Sequence, residues 1–403
     1  MTILFVANAY PPAISGVAIS AEHFRTALQK MGHRVLVLTP RYRRARAAVA
    51  TQDPTATDPD VIRVPAVPNP LYPEYPIGLF VMTPRLLRRL RQAGVQVVHT
   101  MQPFTVGRFA RRVARRLGVP LVFTHHARYD LYAHYVPLLP RAVATRRVLR
   151  SVTRFANSCD ALIAPSASTK RFMQEHGITR PITVIPTGLR RSFASSATKE
   201  VLRKKTGLPS TKPLLLCVSR ISIQDKNLLL LITALPKICA VVPTAQLVLV
   251  GGGPDLARLK QITKMHGLAE RVRFIGPIRN TELADWYGSA DLFVYPSVSE
   301  TQGIITLEAL SAGLPVVATR GPGTIDFVQH DHSGVLTENT AADFAAGVIR
   351  VAQDVSLGQR LGQQGQDVAA QYTGDKMAVA QALLYDKVLA DFKRTSRSTG
   401  LAK

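Results

Sequence analysis

The 403-residue chain is 46% apolar, carries 51 Lys and Arg against 26 Asp and Glu, and has three cysteines. That length and apolar share suit two α/β domains with full cores and exclude a disordered or disulfide-stapled chain; with no uninterrupted apolar run of about 18 residues, a bilayer-spanning helix is excluded too. The net charge of +25 is lopsided, with 27 basic and 8 acidic residues in 1–190 against 24 and 18 in the remainder, so the first half faces a polyanion, either nucleic acid or an anionic membrane.

Residues 3–7 (Ile-Leu-Phe-Val-Ala) read as a first parallel strand. The opening M-T-I-L-F-V-A-N runs straight into it without a basic n-region, so it is not read as a signal peptide. The loop N-A-Y-P-P-A-I-S-G-V-A follows, then a helix with Ala21, Phe24, Ala27, Leu28 and Met31 inward, closed by Gly32 and His33, and a second strand over 35–38. This βαβ opening lacks G-x-G-x-x-G, so the dinucleotide fingerprint of a dehydrogenase is absent. Gly16-Val17 ahead of the helix either offers backbone N–H groups to a phosphate or is a plain structural turn.

Residues 51–84 read as irregular loop with one edge strand over 61–64, and D-P-D at 58–60 as a solvated turn. Three basic helical stretches lie at 85–91, 108–117 and 141–154. In the second, Phe109, Val113, Ala114 and Leu117 form an apolar stripe and the arginines the opposite face. For 141–154 a membrane-touching amphipathic helix competes with ordinary surface packing. Strands are expected at 95–100 and 120–124, the latter opening into T-H-H-A-R-Y-D-L-Y-A-H-Y, where an open α/β sheet binds ligands. The spacing of His125, His126 and His134 matches no common metal-ligand pattern, so no metal is assigned. A strand at 160–165, a helix at 166–176 and a strand at 183–186 follow, and 187–198 reads as a linker.

The second half repeats the strand–helix grammar. Strand 213–219 ends in R-I-S-I-Q-D-K-N, 245–250 in G-G-G-P-D, and 272–276 in P-I-R-N. Arg220 and Lys226 on this rim are candidate diphosphate clamps, and Gly251-Gly252-Gly253 reads as a tight turn that admits a ligand to the backbone. Cys159, Cys217 and Cys239 sit in apolar runs as small buried hydrophobes, which fits a reducing cytoplasm. The last helix, about 376–394, offers Met377, Val379, Ala380, Leu383, Leu384, Val388 and Leu389 for packing, ahead of a polar tail.

The chain is organised around 297–320, S-V-S-E-T-Q-G-I-I-T-L-E-A-L-S-A-G-L-P-V-V-A-T-R. An apolar strand precedes it, helical spacing begins after Gly303, and Gly313 and Pro315 end the helix ahead of another strand. The turn places bare N–H groups at a helix N-terminus, a ready phosphate site. Glu300 and Glu308 bracket it. Carboxylates beside a phosphate make sense as acceptors for hydroxyls, which points to a diphosphate with a sugar on each side, the hexose at Glu300 and the ribose at Glu308.

The string E-x-x-G-x-x-x-x-E-A-x-x-x-G-x-P-V-V-A in this setting resembles the signature of the family 4 retaining glycosyltransferases. Y-P-P-A-I-S-G-V-A at 10–18, P-L-Y-P-E-Y at 70–75, H-H-A-R-Y-D-L-Y-A-H-Y at 125–135 and S-E-T-Q-G at 299–303 are most similar to the bacterial diacylglycerol glucosyltransferases within it. The resemblance implies a GT-B fold, two Rossmann-like α/β domains facing each other across a cleft. It makes 1–190 the acceptor-binding, membrane-facing domain and 191–375 the nucleotide-sugar domain, with 376–403 a helix crossing back. It implies catalytic roles for His126, at the transferred sugar, and Glu300, at its hydroxyls. Donor binding falls to Gly16 over the diphosphate, Arg220 and Lys226 as clamp, Gly303 and Ile304 through backbone N–H, and Glu308 at the ribose. Two departures stand out: the clamp residues are six apart where five is usual, and Thr301-Gln302 replaces the commoner aromatic pattern.

The activity so implied is transfer of a hexose, glucose from UDP-glucose, to a lipid acceptor such as diacylglycerol. The enzyme would be cytoplasmic and peripheral to the inner face of the membrane, and would use no cofactor and no metal. A soluble or polysaccharide acceptor, or a mannose donor, is the neighbouring alternative. A basic nucleic-acid-binding protein also accounts for the charge, but it leaves both glutamates idle and lacks an aromatic-and-basic platform, so no nucleic-acid partner is assigned.

Overall fold

The computed structural model describes residues 1–13, 15–42, 55, 57–69, 76–130, 140–210 and 213–398. The string at 70–75, the end of the histidine string with His134, and Ile14 lie outside them. The chain forms two compact units, Met1–Gly188 with Gly374–Lys403, and Leu189–Thr373.

The first unit runs β1 (Thr2–Val6), α1 (Gly16–Lys30), β2 (Arg34–Pro40), β3 (Val61–Val64), β4 (Ala66–Val67), β5 (Ile77–Gly78), α2 (Pro84–Gln92), β6 (Val97–Thr100), α3 (Thr105–Leu117), β7 (Leu121–Thr124), α4 (Arg141–Ala156), β8 (Ala161–Ala164), α5 (Ala167–Glu175) and β9 (Ile182–Val184). Its parallel sheet has the order β3-β2-β1-β6-β7-β8-β9. The central strands are buried along their whole length because helices cover both faces, which is why they read as continuous apolar runs. β4 and β5 pair antiparallel, so the 51–84 stretch holds a small hairpin besides its edge strand.

The second unit runs α6 (Lys199–Thr206), β10 (Leu214–Val218), α7 (Ile223–Lys226), α8 (Leu229–Val241), β11 (Gln246–Val250), α9 (Leu256–Met265), β12 (Val272–Gly276), α10 (Leu283–Ser289), β13 (Leu292–Tyr295), α11 (Ile304–Ser311), β14 (Val316–Thr319), β15 (Val335–Thr337), α12 (Ala341–Gln353) and α13 (Val355–Ala369). Its parallel sheet has the order β12-β11-β10-β13-β14-β15. Both units are therefore Rossmann-like. The order reverses between β1 and β6 in one and between β10 and β13 in the other, and such a reversal opens a crevice at the strands' carboxyl ends. The last helix, α14 (Gly374–Ser398), packs on α1 of the first unit.

Three expectations are refined. Residues 187–198 contain the passage between the units, as the linker reading has it, but they are packed: Leu189 and Phe193 are buried, Leu189 pairs with Thr373, and the Phe193 ring meets Tyr287 edge-on at 5.5 Å. The packing face of α14 is centred on Ala378, Gln381, Ala382, Tyr385 and Val388, with the expected Met377, Ala380 and Leu384 partly buried beside it, while Val379 and Leu383 point outward, Leu383 at 65% exposure. Tyr385 moves the face by bonding its hydroxyl to Nδ1 of buried His99 at 2.6 Å, a polar anchor that a hydrophobicity count misses. At 58–60, Asp58 is more than turn solvation, since it pairs at 2.7 Å with the buried Arg25 of α1.

Candidate functional site

At the reversal between β10 and β13, buried Tyr295 ends β13 and the chain turns through Ser297 to Glu300. Glu300 accepts three hydrogen bonds on one oxygen, Oε1: from Lys226 Nζ at 2.5 Å, Tyr295 OH at 2.6 Å and Ser297 Oγ at 2.8 Å. Burial pushes this carboxyl up, but the Lys226 ammonium and the three donated bonds outweigh it and hold it below the ordinary glutamate range. Among the described residues Oε2 accepts none of these bonds, so an ionised carboxylate oxygen is left for hydroxyls.

Lys226 is placed by a one-turn helix. Ser222 caps α7 by accepting from Asp225 N, and Asn227 ends it in the left-handed conformation. Asn227 Nδ2 then donates to Pro296 O at 3.0 Å, and Ser299 Oγ donates to Asp225 O. The β10–α7 segment is thus bound to the turn after β13 by three separate contacts. Arg220, at the end of β10, is exposed and makes no ion pair among the described residues. The structure brings Lys226 onto Glu300 but shows no such contact for Arg220.

Gly303 is left-handed, with φ of +71°, and α11 starts behind it without a side-chain cap. Thr306 N already donates to Gly303 O at 2.9 Å, and the N–H groups of Ile304 and Ile305 ahead of it are placed for an anion. Thr306 in that turn, with Thr319 and Thr324 nearby in the chain, has a buried hydroxyl without a hydrogen-bond partner among the described residues. A Cβ on Gly323 would lie 2.8 Å from Gln302 N and 3.0 Å from Glu300 O, so the loop after β14 runs hard against the turn.

One turn into α11, Glu308 is 6% exposed and accepts from Tyr287 OH on Oε2 at 2.9 Å. Burial raises its pKa to about 7, opposed by the Tyr287 bond and by the Arg191 guanidinium. Gly251 and Gly253 are required by packing. A Cβ there would meet the carbonyl oxygens of Ser219 at 1.9 Å and Ile221 at 2.3 Å, so these glycines let the β11 turn lie against the β10 turn.

In the first unit Gly16 is the exposed first residue of α1, and nothing lies within 4 Å of a Cβ built there. Ser15 caps the helix, its Oγ accepting from Ala18 N at 3.2 Å. His126 follows β7, with Nε2 3.5 Å from Ser20 Oγ, and burial lowers its pKa to about 4, so it is neutral. Its neighbour His125 stands edge-on to Phe123 and Tyr129, and neither ring nitrogen has a partner among the described residues. No cluster of metal-ligating side chains occurs among the described residues.

Tyr295, Ser297, Asn227, Tyr287 and the R-G-P-G run at 320–323 are site residues that sequence reasoning missed. Ser297, three residues ahead of Glu300, was legible as an S-x-x-E step. The tyrosines had no local signal, because they read as ordinary apolar core positions.

The family model described as "Glycosyl transferases group 1" matches residues 198–368, and the one described as "Glycosyltransferase Family 4" matches 14–193. The alpha-monoglucosyldiacylglycerol synthase of Acholeplasma laidlawii is 27% identical over 96% of each chain. The GDP-mannose-dependent alpha-mannosyltransferase of Mycobacterium tuberculosis is 31% identical over 89% of this chain and 90% of that protein. Sucrose-phosphate synthase from Thermosynechococcus elongatus shares the fold, with a TM-score of 0.78 at 21% identity over 97% of this chain and 99% of that one.

Proposed function

The chain belongs to the family 4 glycosyltransferases of GT-B architecture, and on that premise we propose that it transfers a hexose, glucose from UDP-glucose, with retention of configuration, to a lipid acceptor such as diacylglycerol at a membrane surface. The observation that carries the reading is Glu300, ionised and tied to Lys226, beside the uncapped start of α11 at the β10–β13 reversal.

In this reading the free Oε2 of Glu300 accepts the sugar hydroxyls. The N–H groups at Gly303 and Ile304, with Lys226 and Arg220, take the charge that builds on the departing diphosphate. Gly16 closes over that diphosphate, Glu308 takes the ribose, and His126 contacts the transferred sugar. The acceptor oxygen bonds to the anomeric carbon on the face from which the diphosphate leaves. The carbon–oxygen bond to phosphate breaks, and the acceptor proton passes to the freed diphosphate oxygen. These fixed cations and dipoles do the work a divalent metal would do, so none is assigned. The diacylglycerol glucosyltransferase relative supports glucose and a lipid acceptor, while the more identical mannosyltransferase makes GDP-mannose the rival donor.

Peripheral binding to an anionic leaflet is supported by the surface of the first unit. No helix of the described residues is long and apolar enough to cross a membrane. Residues 84–117, spanning α2 and α3, contain no acidic residue. Beside them the exposed apolar side chains Val67, Ile77, Leu79 and Val81 stand on the β4–β5 hairpin and the strip that follows. Phe80 packs inward on Phe109 at 5.5 Å, which turns its neighbours outward. A notch of about 390 Å³ between Met82, Leu87, Arg112 and Arg116 completes an amphipathic face. Four outward apolar residues of the first unit stand on this face, and α4, the helix singled out by sequence, adds Val143.

The test is radiolabelled donor supplied with mixed lipid vesicles. Label from UDP-glucose entering the organic phase is expected. Label retained in water-soluble glycan, or incorporated from GDP-mannose instead, refutes the acceptor or the donor respectively.

A further inference from the structure

We infer that Ser20 is a positioning residue for His126 and takes its own orientation from Thr187, where the chain leaves the first unit; the catalytic consequence rests on His126 contacting the transferred sugar. Ser20 lies on α1 one turn after Gly16 and is 1% exposed. Its Oγ is 2.8 Å from Thr187 Oγ1 and 3.5 Å from His126 Nε2. A hydroxyl carries one proton, so bonding both neighbours makes it a relay. Either Thr187 donates to Ser20 and Ser20 to Nε2, or Nε2–H donates to Ser20 and Ser20 to Thr187. Burial keeps His126 neutral, so each sense of the relay goes with one tautomer, and the sense that Thr187 sets is the one the ring takes.

One turn further along the same face of α1, His23 Nδ1 meets Gly188 O at 3.3 Å. A carbonyl only accepts, so His23 donates there. Helix α1 therefore grips residues 187–188 twice, through Ser20 and His23. Gly16, at the helix start, and His126, beside its second turn, share that frame. The ring of His126 is thereby held from α1 and the crossing segment as well as from its own loop.

The experiment compares wild type with Ser20→Ala, Ser20→Thr and Thr187→Val, each checked for folding by circular dichroism. Long-range ¹⁵N correlation on the histidine rings reports which nitrogen of His126 carries the proton. Wild type should show one tautomer, Ser20→Ala and Thr187→Val an averaged pair, and Ser20→Thr the wild-type pattern. Transfer assays should show kcat falling about tenfold to a hundredfold in Ser20→Ala, as expected of a misplaced group. The donor KM should stay within about twofold, because the loss is in the transition state and not in ground-state binding. The Ser20→Ala/Thr187→Val double variant should lose no more than Ser20→Ala alone, since both cut the same relay. An unchanged His126 tautomer in Ser20→Ala overturns the positioning role. An averaged tautomer with unchanged kcat supports the positioning and overturns instead the assignment of His126 to the sugar.

Discussion

Replacing Lys226 with alanine removes two things at once. One is a cation assigned to the leaving diphosphate. The other is the 2.5 Å partner that keeps Glu300 ionised. Loss of one preorganised charge of this kind costs roughly 10²–10³ in kcat, about 2.7–4 kcal/mol. The second loss changes the pH dependence. In the native protein burial raises the Glu300 carboxyl, and the Lys226 charge and hydrogen bond are the largest influences lowering it. Without them burial dominates and the carboxyl shifts upward, with Tyr295 and Ser297 still donating. A protonated Glu300 can no longer accept two hydroxyls, so Lys226→Ala should gain an acid limb, its residual activity climbing as pH rises. The stability linkage runs the same way. A depressed native carboxyl contributes stability that is present above its unfolded pKa and lost as pH falls through the folded one, and the variant forfeits that contribution. The assay is kcat and donor KM from pH 5 to 9 for both proteins, with thermal melts alongside. A kcat loss under tenfold, with a pH profile parallel to wild type, would refute the clamp and the pairing together.

Burial raises the Glu308 pKa to about 7, which has the opposite sign: stability from the buried neutral form is lost as pH rises from the ordinary glutamate range through about 7. Donor KM should therefore worsen as pH falls through about 7 while the apo protein melts higher, and Glu308→Gln should abolish both trends; a KM that stays flat across that range removes Glu308 from the ribose. Gly323→Ala puts a Cβ 2.8 Å from Gln302 N at a φ of +79°, so it should lower the melting temperature and weaken donor binding together. The left-handed backbone alone costs about 1–2 kcal/mol, and an unperturbed melt would show that the 321–323 loop gives way freely. Transfer should survive EDTA, since the assigned charges are all fixed in the chain; abolished activity restored by a divalent cation would refute the metal-free reading.

What local sequence determined is substantial. The apolar runs of β10, β11, β13 and β14, the left-handed glycine at 303, the helix behind it and the spacing of Glu300 from Glu308 are set by neighbours within a few residues. Beside the local donors Tyr295 and Ser297, tertiary structure alone decided that a lysine reaches Glu300. Lys226 lies 74 residues away and reaches it because β10 and β13 are adjacent in the sheet although β11 and β12 intervene in the chain. The same holds for Tyr287 on Glu308 and for Ser20 between Thr187 and His126. It holds also for the Tyr385 hydroxyl of α14, which meets His99 from 286 residues away. Periodicity reports which side of an element is buried against something. A hydrogen bond between distant residues depends on strand order and side-chain direction, which no window along the chain contains.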